Sequence, residues 1–441
     1  MLQSTRFVLG MLALGEVTLL LSACSSSSPG TSANASGAGN NATGGALPDM
    51  PAPGGGGAGS SNLAGASAAG TSTTTAGATS GGAGATSGGM GGTGGSGGSG
   101  GVAGMGSTGG MPPDVSPEGD GDLTVGPTYT KDPNLTDLGK TKGKKFSFNL
   151  ASSASMIFKG DDATLSKPWR MANQTSFNRN VTVYVPALYK DGTEAPILVI
   201  QDGPGQIDGI ARALDNLTVS VDPLKKLPPF VAIAVANGSD RDGSDGKGSE
   251  RGLEYDTMSD RYSRFVDTEV LPAVIADPMV HTAYPGLKFT KDPQGRGAFG
   301  CSSGGAAALS MGWFAETLWH RVITYSGTFV AQQNETQPEA QMYPFGAWEY
   351  HSEMELIKNM PKKPLRVFIN ANENDNGATA PESGHHNWLL ANQRTAAALK
   401  AQGYHYRFVY AQGLGHCDGK VQDQTMADAL SWAWRGYVAP P

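Results

Sequence analysis

The sequence GAFGCSSGGAAALSM, residues 297–311, joins a short apolar run to a predicted helix of small residues through a glycine-rich turn. Gly300, Ser302 and Gly304 form the pattern G-x-S-x-G, in which the glycines permit a sharp turn that exposes a serine hydroxyl. The pattern alone is weak, because it also occurs in GGSGG at residues 94–98. The surrounding sequence therefore has to show whether Ser302 is a nucleophile.

The amino-terminal end has the pattern of a secretory signal, because Arg6 precedes an apolar run. That run ends in LSAC, which resembles the lipobox of bacterial lipoproteins and implies a signal peptide over residues 1–23 and lipidation of Cys24. We therefore expect a cell-envelope protein, periplasmic or facing the cell surface, held to a membrane by acyl chains. An ordinary cleaved signal with an incidental cysteine is the alternative.

Residues 24–122 consist mainly of Gly, Ser, Ala and Thr with scattered Pro. Such a composition buries too little apolar surface to offset its ordering entropy, which predicts a disordered tether. The remaining residues, 123–441, are enough for one α/β domain with a core of adequate size. The net charge of −7 has no long runs of like charge, so we expect no nucleic-acid partner.

Apolar runs that end at turn residues alternate with helical patterns through this domain. Alternating strands and helices predict a mostly parallel sheet with helices on both faces, whose chemistry lies at the carboxyl ends of the strands. The predicted strands are KKFSFNL, NRNVTVYVPALY, PILVIQDG, PFVAIAVANGS, GRGAFG, HRVITYSGTF, PLRVFINAN and YHYRFVYAQ. The predicted helices cover residues 259–277, 304–319, 387–402 and 428–438.

Three residues with the chemistry of a catalytic triad follow three of these strands: Ser302, Asp375 and His416. Their chain order is that of the α/β-hydrolases. A serine hydroxyl is a poor nucleophile, so an imidazole must take its proton and a carboxylate must hold that imidazole in the right tautomer. Glu373 is the alternative acid.

The domain also resembles the α/β-hydrolase esterase family that includes enterochelin esterases, esterase D and several feruloyl and acetyl esterase domains. The resemblance is carried by VTVYVPALYKDGTEAPILVIQDG, SERGLEYDTMSDRYSRFVDTEVLP, GRGAFGCSSGGAAAL, LRVFINANENDNG and NWLLANQRTAAALKAQGYHYRFVYAQGLGH. It implies carboxylic-ester hydrolysis through an acyl-enzyme, without a metal or organic cofactor, by Ser302, Asp375 and His416. Siderophore esters, feruloylated or acetylated polysaccharides and simple aryl esters are the substrates it suggests.

An oxyanion hole needs two donors, and the first is expected to be the backbone N–H of Ser303. The second is expected in the loop after PILVIQDG, where Pro204 has no N–H. Gly203, Gly205 and Gln206 are the candidates, and we favour Gly205. Because of this departure, a non-catalytic binding or adhesion protein on a hydrolase scaffold is the alternative function.

Cys301 precedes the predicted nucleophile and Cys417 follows the predicted base. If Ser302 and His416 are hydrogen-bonded, their neighbours lie close enough for a disulfide. The arrangement Cys-Ser, Asp, His-Cys is similar to the sites of tannases and fungal feruloyl esterases. Two buried free thiols are the alternative.

Two further segments carry weaker signals. His385 and His386 could bind metal, but a loop leading into the following helix is the better interpretation, and we expect no metal site. The aromatic side chains of residues 343–350 could line a substrate pocket or pack in the core, and the sequence does not decide between these.

Overall fold

The computed structural model describes residues 118–159, 177–238, 250–335 and 337–438. The predicted signal peptide, Cys24 and the tether up to residue 117 lie outside these residues. Residues 118–122, which the sequence assigned to the tether, belong instead to the folded domain. The reason is a set of distant contacts: the carbonyl of Glu118 accepts a hydrogen bond from Arg366 at 3.0 Å, and Asp120 accepts one from the Trp432 indole at 3.2 Å.

The strands confirm the segments predicted from apolar runs and add three short ones. They are β1 Gly121–Val125, β2 Lys144–Ala151, β3 Asn178–Val185, β4 Glu194–Ala195, β5 Ile197–Ile200, β6 Val231–Val235, β7 Lys288–Phe289, β8 Arg296–Cys301, β9 Arg321–Tyr325, β10 Arg366–Asn374 and β11 His405–Gly415.

In the described part of the chain, nine strands form one sheet in the order β1-β11-β10-β9-β8-β5-β6-β3-β2. The strands from β1 to β6 in this order run parallel, whereas β3 and β2 are antiparallel to their neighbours. β4 and β7 pair separately. This mostly parallel sheet confirms the predicted α/β-hydrolase architecture.

Helices cover both faces of the sheet, as the alternation of elements predicted. They are α1 Ile207–Leu217, α2 Glu250–Tyr255, α3 Arg261–Phe265, α4 Leu271–Ala276, α5 Pro278–Ala283, α6 Ser303–Phe314, α7 Glu339–Met342, α8 Leu356–Asn359, α9 Trp388–Ala401 and α10 Gly419–Ala433. Among the described residues, none of the helices has both the length and the apolar composition needed to cross a membrane.

The central strand β5 shows how the two core layers form. Its side chains alternate between the sheet faces. Ile197 and Val199 belong to the cluster that contains α6 and α9, whereas Leu198 and Ile200 belong to the cluster that contains α1 and α10. All four side chains are buried, and each contributes about 1.5–3 kcal/mol by leaving water.

The single helix predicted over residues 259–277 is interrupted. A π-helical turn, Val266–Val270, separates α3 from α4, and the N–H of Leu271 bonds to the carbonyl of Val266. Pro272 explains the interruption, because it has no N–H and its ring clashes with the carbonyl four residues earlier.

Candidate active site

Ser302 stands at a strained turn between the end of β8 and the start of α6. Its φ of 58° is rare for a residue with a side chain. A Cβ on Gly300 would lie 2.2 Å from the carbonyl carbon of Gly304, so only glycine fits there. The turn is therefore as tight as the G-x-S-x-G pattern predicts, and it places the serine at the carboxyl edge of the sheet.

The structure brings Ser302, His416 and Asp375 together. His416 Nε2 lies 2.8 Å from Ser302 Oγ, and His416 Nδ1 lies 2.5 Å from Asp375 Oδ1. Because an ionised carboxylate only accepts hydrogen bonds, Nδ1 carries the proton and Nε2 is free to accept from the serine hydroxyl. This is the arrangement in which an imidazole can remove a proton from a serine.

The structure places Asp375, and not Glu373, beside His416. Asp375 is buried, and its carboxylate also accepts hydrogen bonds from the backbone of Asn376 at 2.9 Å and Asn372 at 3.3 Å. Glu373 is exposed and accepts instead from the backbone of Gly413 at 2.6 Å. The pairing of β10 with β11 has a bulge between Asn372 and Asn374, next to the point where the side chains of Glu373 and Asp375 take different partners.

Two residues that the sequence analysis did not single out complete the surroundings of the serine. The Thr328 hydroxyl lies 3.3 Å from Ser302 Oγ and accepts a hydrogen bond from the Trp388 indole at 3.1 Å. The Trp388 ring stands edge-on to His416, with centroids 6.0 Å apart. No local motif marks either residue, because each reaches the site from a separate segment.

The loop after β5 lies against the start of α6, where a second oxyanion donor is expected. A Cβ on Gly304 would lie 2.7 Å from Asp202 Oδ2. Gly203 is buried with φ of 76°, whereas Gly205 lies further along the same turn and is exposed. The N–H of Asp202 is already occupied, since it donates to the Tyr255 hydroxyl at 2.9 Å. Gly205 stays a prediction, with Gly203 and Gln206 as the alternatives.

A disulfide joins Cys301 and Cys417, with Cα atoms 6.1 Å apart. Because Cys301 precedes Ser302 and Cys417 follows His416, the bridge connects the chain beside one member of the triad to the chain beside another. In this structure the two cysteines are therefore bonded to each other and are not buried free thiols.

A buried acidic residue lies directly beside the serine turn. Asp256 Oδ2 accepts hydrogen bonds from Ser303 Oγ at 3.0 Å and Gln332 Nε2 at 3.2 Å. Burial raises the pKa of Asp256 to about 7, against the opposing effects of the Arg251 charge and of these hydrogen bonds. Arg251 itself forms a two-pronged ion pair with Asp202, at 2.6 and 3.0 Å.

The weaker sequence signals have structural roles. His385 packs against the rings of Phe345 and Trp348, with centroid distances of 4.4 and 5.2 Å, and His386 Nδ1 bonds to the carbonyl of Gly384. The aromatic side chains of residues 343–350 all pack on the core cluster that contains α6. Within the described ranges, no group of three His, Cys, Asp or Glu side chains is arranged to hold a metal ion.

The sheet order, the serine turn and the Ser302–His416–Asp375 contacts define an α/β-hydrolase. The model of the family described as "Putative esterase" matches residues 172–423, more than half of the chain, and the chain belongs to this family. Its class of activity is therefore ester hydrolysis. No curated protein matches the chain.

The solved structures that match the chain include two esterases and one hydrolase of low sequence identity. A ferulic acid esterase is 16% identical with a TM-score of 0.44, and the match covers 67% of this chain and 100% of that one. The enterobactin esterase of Shigella flexneri is 18% identical with a TM-score of 0.42, over 68% of this chain and 61% of that one. An S-formylglutathione hydrolase of Agrobacterium tumefaciens is 15% identical with a TM-score of 0.40, over 67% and 98%. The family assignment rests on the match to residues 172–423.

Proposed function

We propose that the protein is a serine esterase that hydrolyses carboxylic esters through an acyl-enzyme. The observation that carries the proposal is the continuous hydrogen-bonded chain from Asp375 through His416 to Ser302, with distances of 2.5 and 2.8 Å. This hydrogen-bonded chain supplies the nucleophile, the general base and the orienting carboxylate that the reaction needs.

In the first step, Ser302 Oγ forms a bond to the ester carbonyl carbon while its proton passes to His416 Nε2. The C–O bond to the alcohol then breaks, and His416 returns the proton to the leaving oxygen. Water repeats the sequence on the acyl-enzyme, which releases the carboxylic acid and restores Ser302. Asp375 keeps the imidazole oriented and stabilises its charged form throughout.

The developing oxyanion is held by two backbone N–H groups, one at the start of α6, where the first N–H of a helix has no intrahelical partner, and one in the loop after β5. Ser303 supplies one of these. Gly205, which we favour, or else Gly203 or Gln206, supplies the second from the loop after β5. Loss of one such donor costs about 10²–10³ in rate.

The decisive experiment replaces the nucleophile. Ser302→Ala should lower turnover of p-nitrophenyl acetate by at least about 10³-fold, and it should abolish labelling by a fluorophosphonate probe. Ser310→Ala is the matched control, because Ser310 lies on the same helix but bonds to Tyr350, and it should keep both properties. Retained activity or labelling in Ser302→Ala would reject the proposal.

We further propose that the ester is extracytoplasmic and that Cys24 carries the anchoring lipid. The LSAC sequence supports this. In cells that express the protein and are fed labelled palmitate, wild type should carry the label in the membrane fraction, and Cys24→Ala should not.

A panel of siderophore, feruloyl and acetyl esters would test the proposed substrate class, because their kcat/KM values rank them as substrates. If the protein hydrolyses none of them, this choice of substrate class is rejected.

A further inference from the structure

Asp256 is a buried acid that the proposed triad does not use. It directly follows α2, and its carboxyl group lies against the start of α6 and the segment after β9. Gln332 Nε2 bonds to both Asp256 Oδ2 and Ser303 Oγ, so the three side chains form a closed triangle. Among the described residues, Asp256 Oδ1 has no hydrogen-bond partner.

This environment is poor for a negative charge. Only one of the two carboxyl oxygens is hydrogen-bonded, and the group is 4% exposed. Arg251 of α2, whose positive charge favours ionisation of Asp256, is already paired with Asp202 from the loop after β5, and the Asp202 charge opposes that ionisation. From α6 and the segment after β9, the hydrogen-bond partners of Asp256 among the described residues are the neutral groups of Ser303 and Gln332. Both forms of the carboxyl group are therefore present near pH 7.

Asp256 is bonded to the residue proposed to bind the oxyanion, so its charge should affect the rate of the reaction. Ser303 bonds to Asp256 through its side chain, and its backbone N–H is the donor proposed for the oxyanion. An ionised Asp256 would therefore place a negative charge beside Ser303, whose backbone N–H is proposed to bind the oxyanion of the transition state. Like charges at short range in a water-poor site repel strongly, so the ionised form would raise the barrier.

We infer that Asp256 is a positioning residue of the oxyanion hole, which holds Ser303 at the start of α6 and supports the reaction better when neutral than when ionised. This inference rests on the proposed serine esterase function. It assigns to Asp256 a role in pH dependence, separate from the proton transfer by His416.

The test compares kcat and KM of wild type and Asp256→Asn on p-nitrophenyl acetate from pH 5.5 to 9, because Asn imitates the neutral carboxyl group. The ratio of the two kcat values cancels the pH dependence that both proteins share. It should rise in favour of Asp256→Asn by about tenfold between pH 6 and 8.5, while KM changes little, because the oxyanion exists only in the transition state.

Asp215→Asn is the matched control. Asp215 is also a buried aspartate that accepts a hydroxyl hydrogen bond, from Tyr184, but it lies on α1. Its kcat ratio to wild type should not change with pH. A pH-independent ratio for Asp256→Asn, whatever its size, would overturn the inference.

Ser303→Ala keeps the backbone N–H and tests the inference even if Asp256→Asn does not fold. The Ser303 hydroxyl favours the charged form of Asp256, so its loss should move the alkaline decline in kcat to higher pH. An unmoved decline would contradict the inference. Failure of the serine mechanism would appear differently, as unchanged activity in Ser302→Ala.

Discussion

Removal of the disulfide between Cys301 and Cys417 should lower both stability and activity. The bridge closes a loop with a sequence separation of 116 residues. In the chain-entropy model, a loop of this length stabilises the folded state by about 5 kcal/mol at 25 °C, and strain usually makes the measured value smaller. Because whole domains are stable by only about 5–15 kcal/mol, the double variant Cys301→Ala/Cys417→Ala should unfold at a clearly lower temperature.

The effect on activity follows from the position of the bridge. It fixes the residue before Ser302 at a Cα distance of 6.1 Å from the residue after His416. Misplacement of a catalytic group by about 1 Å can cost roughly a hundredfold in rate. His416 is also held by Asp375 and by the pairing of β11, so we expect kcat to fall by about tenfold to a hundredfold.

The assay measures kcat on p-nitrophenyl acetate well below the unfolding temperature, together with thermal unfolding by circular dichroism. Wild type treated with a reductant should approach the double variant, and the reductant should leave the double variant unchanged. Equal stability and equal kcat with and without the bridge would refute the reasoning. So would two alkylatable thiols at these positions in the purified, unreduced protein.

Three further predictions concern single side chains. Asp375→Asn should lower kcat at least about tenfold more than Glu373→Gln, because it favours the wrong imidazole tautomer; equal effects in steady-state kinetics would contradict this. Burial lowers the pKa of His351 to about 4 from 6.5, so the unfolded state takes up a proton first as the pH falls. The contribution of His351 to the free energy of unfolding should therefore drop by up to about 3 kcal/mol from pH 6.5 to 4, and the difference between wild type and His351→Gln in denaturant titrations measures it. Glu254→Gln should cost about 3–5 kcal/mol in the same titrations, because it leaves the buried guanidinium of Arg179 without its counter-ion, and a loss below 1 kcal/mol would contradict a buried pair.

Most of the sheet and the triad could be predicted because their signals are local. β5 and β6 are continuous apolar runs, and the serine turn has a steric requirement for glycine at residue 300 that appears directly in the sequence. The triad then followed from chain order and from the position of Asp375 and His416 after strands.

The features that the sequence did not predict depend on distant contacts. β1 is a five-residue edge strand with the sequence GDLTV, which follows an acidic segment and gives no clear strand signal. It forms because its backbone pairs with the free edge of β11. Asp256 and Trp388 come from separate segments on opposite sides of Ser302 in the chain and bond to Ser303 and Thr328, so no spacing rule could place them beside the serine turn. Pro272 was visible in the sequence, but whether it would end the helix or only distort one turn depended on packing.

The parallel pairing of β1 with β11 also decides where the domain can be attached to a support. Gly121 pairs with Arg407 near the start of β11, so the chain enters the sheet at its amino edge, whereas Ser302 and His416 lie at the carboxyl edge. A resin, a sensor surface or a fused partner coupled ahead of Glu118 would meet the domain on the side remote from the serine. Immobilisation through this end should therefore leave access to bulky esters unobstructed, while coupling through an exposed lysine near the carboxyl edge, such as Lys420, would bring the support beside the site.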